Sequence, residues 1–333
     1  MTNVLVLGGS GYLGSQLVPA LLDEGYKVRV FDIMFFGNEF LPHEKPNLEV
    51  IQGDIRDAEA VGKACEGMEH VISLGCISND ASFELDDSLS TSINLDAFEP
   101  MVVAAKKVGV RRFYYASSSS VYGVSDAPEV REDHPLVPLT LYNKYKGMCE
   151  PILFKHQSDD FVCVAIRPAT LMGYAPRQRL DLSVNILTTH AVLNNKITVF
   201  GGDQQRPNLH VLDFVELWKL LLKVEDEKIA GEIFNVGYMN QTIMDIASRV
   251  KEVVEEEFPE KAPIEIVTTP TDDNRSYRIN SDKIGEKLGF RPQRSIEDAV
   301  RSLCEAFRKG KLENALADDK YYNVRTLKKL QAK

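Results

Sequence analysis

Cysteine is scarce and scattered: Cys65, Cys76, Cys149, Cys163 and Cys304 form no Cys-x-x-Cys pair, and no two histidines stand at metal-ligand spacing. That spacing argues against structural zinc and for buried free thiols in a reducing cytoplasm. Long apolar runs are also missing. Nothing reaches the ~18 consecutive apolar residues of a membrane span. No basic leader precedes the strand-like Val4–Leu7 stretch, so the expectation is a cytoplasmic chain without a targeting segment. Positive charge is in deficit, with 39 Lys and Arg against 49 Asp and Glu, a net charge of −10. A field of that sign repels polyanions, which argues against nonspecific nucleic-acid binding but leaves room for a small anion in a local basic pocket.

The 333 residues are 44% apolar and 26% charged, enough to bury a core and stay soluble. At ~100–200 residues per domain the length allows two domains or one enlarged α/β unit. The first half alternates short β-branched runs with helical stretches, the pattern of βαβ units on a parallel sheet. Strands are expected at 4–7, 27–33, 48–53, 70–74, 112–116 and 161–166. Helices are expected at 13–24, 93–107 and 142–156. The second half is looser, with strands near 197–200, 232–236 and 264–267 and helices at 211–224, 242–257 and 296–309. Glycines and prolines between Pro168 and Pro207 predict long loops there. The tail beyond Lys320 is basic, and its pattern leaves open whether it docks as a helix or frays.

The turn after the first strand reads Gly8-Gly9-Ser10-Gly11-Tyr12-Leu13-Gly14. Glycines at 8, 11 and 14 permit a sharp turn, close approach of a pyrophosphate and tight helix–strand packing. The helix N-terminus adds free N–H groups and partial positive charge. Asp32 closes the second strand 18 residues beyond Gly14. A carboxylate there accepts ribose hydroxyls and repels a 2′-phosphate, which favours NAD over NADP. Asp54-Ile55, after the third strand, is placed beside the adenine. The prediction is a dinucleotide-binding Rossmann unit.

Among the twelve tyrosines only Tyr142 is followed four residues later by lysine, Lys146. The two share a helix face. A neighbouring ammonium favours the phenolate, so the pair suits removal of an alcohol proton while hydride leaves the same carbon. Ala116-Ser117-Ser118-Ser119-Ser120-Val121-Tyr122-Gly123 begins where a strand ends, at the sheet edge where ligands of open α/β folds bind. A hydroxyl in that run can orient the reacting oxygen, although four serines also make an ordinary polar turn. Arg177 and Arg179 bring guanidinium forks suited to phosphate, and a surface-loop role is the plainer alternative.

In combination these motifs resemble the extended short-chain dehydrogenase/reductases, specifically the NAD-dependent nucleotide-sugar epimerases and dehydratases, over about residues 3–310. The glycine pattern, Asp32, Asp54-Ile55, Asn94, the serine run, Tyr142/Lys146, Arg167-Pro168 and Arg206-x-x-x-His210-Val211-x-Asp213 fall in the family's order. The resemblance implies a doubly wound parallel Rossmann sheet with a smaller C-terminal α/β substrate-binding region. The NAD-binding domain would span 1–168, and 169–333 would form the mainly sugar-nucleotide-binding region, interleaved with the core. It implies catalysis by Ser118, Tyr142 and Lys146. Cofactor contacts would come from Gly8, Gly11, Tyr12, Leu13, Gly14, Asp32, Asp54, Ile55, Leu74, Asn94, Tyr142 and Lys146. Ser119, Ser120, Arg177, Arg179, Asn185, Arg206 and Tyr277 would meet a nucleoside-diphosphate sugar, with Tyr277 near the base.

The implied activity is 4-epimerisation by transient oxidation at C4. A net 4-dehydrogenase or ketoreductase is the runner-up, and a catalytically silent NAD sensor a third reading. A 4,6-dehydratase is disfavoured, because the family's Asp-Glu pair after the catalytic serine is replaced by Ser119 and Ser120, which cannot do that acid–base work. Ser73-Leu74-Gly75-Cys76 also departs from the family's usual His-Leu-Ala-Ala. Family members commonly pair the helices matching 93–107 and 142–156 across a two-fold axis, which implies a homodimer. Met101, Val102, Ala105 and Val108 could line that seam or face their own sheet. Neither a metal nor a membrane is implied.

Overall fold

Strand β1 (Asn3–Leu7) is buried from Val4 to Leu7 because helices cover both faces of the sheet it centres. In the computed structural model, which describes residues 2–331 except 126 and 272–275, six more strands join it. These are β2 (Lys27–Asp32), β3 (Leu48–Gln52), β4 (His70–Ser73), β5 (Arg112–Ala116), β6 (Val162–Pro168) and, from the second half, an edge strand at Glu232–Val236. All pairings in this sheet are parallel, and its order from the edge strand is 232–236, β6, β5, β4, β1, β2, β3. The order reverses between β1 and β4, which sets a crevice at the carboxyl ends of those strands. This is the Rossmann sheet expected from the sequence.

Helix α1 (Gly14–Asp23) leaves the glycine turn, and Leu17, Val18 and Leu21 bury its inner face. Gly8 holds φ +80°, and a Cβ there would lie 2.5 Å from the Gly75 backbone. At Gly14 a Cβ would lie 2.1 Å from the Gly9 carbonyl oxygen, so both positions exclude any side chain. Helix α2 (Ala58–Cys65) and helix α3 (Phe98–Lys107) pack side by side on one face of the sheet. Helix α4 (Leu141–Phe154) lies against the end of β5. The sheet's other face is closed by α1 and by Phe214 and Trp218, whose rings pack 5.3 Å apart.

The helix expected over 93–107 is broken. Pro100 lacks the N–H that the Asp96 carbonyl would accept, and the preceding turn at Ser92–Asp96 widens so that the Ala97 N–H reaches back to Ser92. Met101, Val102 and Ala105 pack into the sheet, while Val103 is 44% exposed. Three of the four candidate seam residues thus belong to the molecule's own core.

The second half adds β7 (Thr170–Met172), β8 (Lys196–Phe200) and β9 (Gln205–His210). With the edge strand numbered β10, the remaining strands are β11 (Met239–Thr242) and β12 (Glu265–Thr269). β11, β9 and β7 form one small sheet, and β12 pairs with β8 in another. The longer helices of this half are α5 (Ser183–Asn194), α6 (Val211–Leu221), α7 (Ile243–Glu257) and α8 (Ile296–Arg308). Thr242 and Ser295 close reciprocal capping boxes with Asp245 and Asp298, which fixes where α7 and α8 begin. The basic tail ends as a docked helix, α9 (Asn323–Gln331), with Asn323 and Leu327 buried. Among the described residues no helix is long and apolar enough to cross a membrane.

Candidate active site

One cavity of about 470 Å³ runs along the carboxyl ends of the central strands, lined at one end by the glycine turn and Asp32 and at the other by the serine run, Tyr142 and Lys146. Gly11 faces it with room to spare, since a Cβ there would meet only the Gly8 carbonyl oxygen at 3.6 Å. A phosphate can therefore approach the turn while Gly8 and Gly14 hold its shape. Asp32 accepts the N–H of Ser10 (2.9 Å) and of Met34 (2.8 Å), which aims its carboxylate along the cavity wall. Burial raises its pKa against the pull of those two bonds. Gly53, Asp54, Ile55 and Leu74 line the same end. Burial pulls the Asp54 carboxyl up, but bonds from the Arg56 guanidinium and backbone outweigh it and leave it depressed. The turn, the carboxylate and the apolar walls fit a dinucleotide.

At the other end α4 is stapled to the end of β5 on successive turns. The Lys146 ammonium donates to the Ala116 carbonyl at 2.7 Å and lies 5.0 Å over the Tyr115 ring. One turn on, Glu150 accepts from the Ser117 hydroxyl at 2.6 Å and pairs with Arg167, both side chains being 3% exposed. Burial alone would depress the Arg167 guanidinium, but Glu150 more than compensates. Arg167 also donates to the Tyr122 hydroxyl, which in turn donates to Asn235 on the edge strand. Ser118 therefore begins from a fixed backbone. Its Oγ lies 2.7 Å from Ser120 Oγ, which bonds Asn143, the neighbour of Tyr142 on α4. Thr140 caps the start of α4 and its hydroxyl donates to Asp80 at 2.5 Å.

The Tyr142 phenol is pushed well above its ordinary pKa, first by burial and then by Cys76 and Asp80, while Arg179 pulls the other way. The Lys146 ammonium is turned to the Ala116 carbonyl, and Arg179 is a cation that counters Tyr142's burial in the folded chain. Arg179 is only 9% exposed, paired with Asp181 at 2.9 Å and bonded to Ser78. Neither it nor Arg177 is a surface-loop residue.

Several of the expected site residues are held by bonds within the protein. Asn185, expected at the substrate, is fully buried: its oxygen accepts from the Gly173 N–H and its nitrogen donates to the Arg179 carbonyl, so it braces the arginine segment. Asn94, expected at the cofactor, makes a two-way bond with the Ile77 backbone and so fixes the loop after β4. Arg177, expected on the substrate, lies at the Asp32 end, stacked 3.9 Å over the Phe36 ring. Tyr277, expected near the base, has its hydroxyl 3.4 Å from Ser119 Oγ, beside the serine run. Ser119, Ser120, Arg179 and Arg206 all line the cavity as expected. Sequence reasoning missed Asp80, Thr170, Asn323 and Leu327, which also line it. None carries a local motif that marks it.

A model of the NAD dependent epimerase/dehydratase family matches residues 4–237. The chain is 26% identical over 329 residues to UDP-glucose 4-epimerase of Lactobacillus helveticus, covering 90% of this chain and 94% of that one. It is 25% identical over 317 residues to dTDP-glucose 4,6-dehydratase of Streptomyces griseus, covering 92% and 94%. Among solved structures, MoeE5 in complex with UDP-glucuronic acid and NAD superposes with a TM-score of 0.79 at 25% identity, covering 92% of this chain and 99% of that one. The chain belongs to the NAD-dependent epimerase/dehydratase family. It is an enzyme of that class, with NAD as its cofactor. Epimerases and dehydratases match it at similar identity, so the activity must be argued from the site.

The Glu150–Arg167 pair gives a direct test of the scaffold. Removing one partner of a buried pair costs about 3–5 kcal/mol. Glu150→Ala is expected to lose that much in urea unfolding, and Glu150→Leu/Arg167→Met to recover a large part of it.

Proposed function

We propose that the protein is a nucleoside-diphosphate-sugar 4-epimerase. The observation that carries this reading is the pairing of Ser118, Tyr142 and Lys146 in one cavity with hydroxyls at both following positions. Ser119 faces the Tyr277 hydroxyl and Ser120 bonds Asn143, so neither supplies the acid and base that C5–C6 dehydration requires. When bound, NAD supplies the hydride acceptor and donor at C4. Tyr142 takes the C4 hydroxyl proton and later returns it. Ser118 orients that oxygen through the hydroxyl chain to Ser120, and Lys146 holds the cofactor ribose while fixing the strand end. Rotation of the 4-keto sugar between the two transfers inverts the centre, and no net redox equivalent is consumed. Arg179 and Arg206 would supply positive charge toward the sugar nucleotide in an otherwise acidic protein.

A homodimer is part of the same reading. Val103 on α3 is 44% exposed, and Leu141 and Met148 on the adjacent α4 are each 40% exposed, which leaves apolar side chains outward on the two helices the family commonly pairs. Val103→Glu combined with Met148→Glu is expected to halve the mass in solution without loss of helix content. An unchanged mass, or a wild type that is already monomeric, would remove the dimer.

Incubation with UDP-, dTDP-, GDP- and CDP-hexoses should give a C4 epimer without lasting absorbance at 340 nm. Steady accumulation of NADH or a stable ketone would instead mark a net oxidoreductase. Tyr142→Phe is expected to keep NAD binding and lose turnover by at least ~10²-fold, the lower range for a lost acid–base group.

The charge at Arg179 yields a pH test. Arg179 favours the phenolate, so its removal raises the Tyr142 pKa further. The base must be deprotonated to act, so turnover falls as pH drops through that value. Arg179→Gln should therefore move the acidic limb of the kcat–pH profile to higher pH. A limb that stays in place would show that Arg179 does not tune Tyr142.

A further inference from the structure

The family match ends at residue 237, yet two residues from the far C-terminus line the cofactor end of the cavity. Asn323, the first residue of α9, is 3% exposed and ties three elements together. Its Oδ1 accepts from Arg177 Nη2 at 2.7 Å, its Nδ2 donates to Ser78 Oγ at 3.0 Å, and its backbone N–H donates to Asp181 at 3.2 Å. One turn later Leu327 packs on Ile77 and Ile93, beside Phe35, Phe36 and Ile55. Ile55, Ile77, Phe35 and Phe36 line the cavity too, so α9 covers the wall where the adenosine half of a dinucleotide lies.

Arg177 gives this cover a chemical purpose. Its side chain is 2% exposed and stacked on Phe36, and its backbone N–H donates to Ser15 in the first turn of α1. Among the described residues it forms no ion pair, and its Nε has no partner. Burial and the like charge of Arg179 push its pKa down to about 9, against a smaller upward pull from Asp181 and Asp32. A buried guanidinium without a carboxylate at contact distance is costly unless a ligand brings the negative charge. The glycine turn and the N-terminus of α1 border the same cavity end, which is where a dinucleotide's diphosphate belongs.

We infer that α9 is the closing wall of the cofactor site: Asn323 holds the Arg177 fork toward the NAD diphosphate, and Leu327 seals the adenosine end. NAD then leaves only when α9 lifts. This rests on NAD as the cofactor and goes beyond the proposed reaction, because it assigns retention to a segment outside the matched family region.

The test uses the full chain, Asn323→Ala, Arg177→Ala and a chain ending at Tyr322. Retained NAD is measured after desalting, and its dissociation rate is followed by competition with excess labelled NAD. Wild type is expected to keep its NAD. Asn323→Ala and the truncated chain should release it at least ten times faster, while UDP affinity of the NAD-saturated protein stays within twofold. Arg177→Ala should weaken NAD and ADP-ribose equally and leave adenosine binding unchanged. The truncated chain exposes Ile77 and Ile93 and can lose stability; Asn323→Ala keeps the hydrophobic seal and decides the matter if it does. Unchanged NAD release in Asn323→Ala would overturn the inference. So would an effect of Arg177→Ala confined to UDP, which would place the fork on the sugar nucleotide, or to NADP, which would place it on a 2′-phosphate. Failure of the epimerase reading would leave these binding results untouched.

Discussion

The attachment of α4 to the end of β5 is the constraint on which the rest of the site depends. A helix presents residues four apart on one stripe, and here the stripe Tyr142, Lys146, Glu150 runs along the strand end where the serines begin. Lys146 grips the Ala116 carbonyl and Glu150 grips the Ser117 hydroxyl, so two consecutive turns set the height of the helix against the strand. Tyr142 is the next turn of the same stripe. Its position relative to Ser118 therefore follows from bonds made beneath it. The cost of burying Glu150 is met by Arg167, whose further bonds go to Tyr122 and the Glu132 carbonyl; both residues in turn bond Asn235, which carries the restraint into the second half of the chain.

Charge is organised on two scales. The whole molecule is acidic, yet the cavity draws Arg177, Arg179 and Arg206 to its wall. Net charge governs long-range encounter, whereas ligand choice depends on what is buried within a few ångströms. Asp181 pairs with Arg179 at contact distance, whereas among the described residues Arg177 forms no ion pair and rests on the Asn323 amide and the Phe36 ring. The two arginines, two residues apart in sequence, are thus electrostatically unlike. One has a carboxylate beside it and favours the Tyr142 phenolate; the other has an amide and a ring in place of a carboxylate.

The features legible in the sequence are those imposed by short-range backbone geometry. Gly8 and Gly14 could be read because no side chain fits where they stand. Asp32 and the Tyr142/Lys146 pair could be read because a strand end and a helical repeat set their spacing. The same reasoning misjudged the helix through residue 93, where Pro100 acts on the turn before it. It also gave no sign of the protein partners of Asn94, Asn185, Arg177 and Tyr277. Their roles depend on partners 17, 12, 146 and 158 positions away in sequence, at Ile77, Gly173, Asn323 and Ser119. An asparagine that braces a backbone and one that meets a ligand look alike until the fold shows which groups its amide satisfies. The tail was opaque for a related reason: α9 has few apolar residues of its own, and Leu327 finds its neighbours on a loop some 250 residues earlier.

Closure of the cofactor end also bears on which reaction the site serves. A 4-epimerase returns hydride to the sugar it came from, so one dinucleotide serves every turnover and exchange is a leak. A net dehydrogenase must release reduced cofactor each cycle, and a wall that opens slowly would then limit its rate. In this chain the cofactor end is sealed by three polar bonds through Asn323 and by the packing of Leu327, whereas Ser118, Tyr142, Arg179 and Arg206 share the wall of the rest of the cavity. An arrangement that confines the dinucleotide while a sugar nucleotide comes and goes suits internal hydride return. The tail helix and the serines after Ser118 thus favour the same chemistry from opposite ends of the cavity.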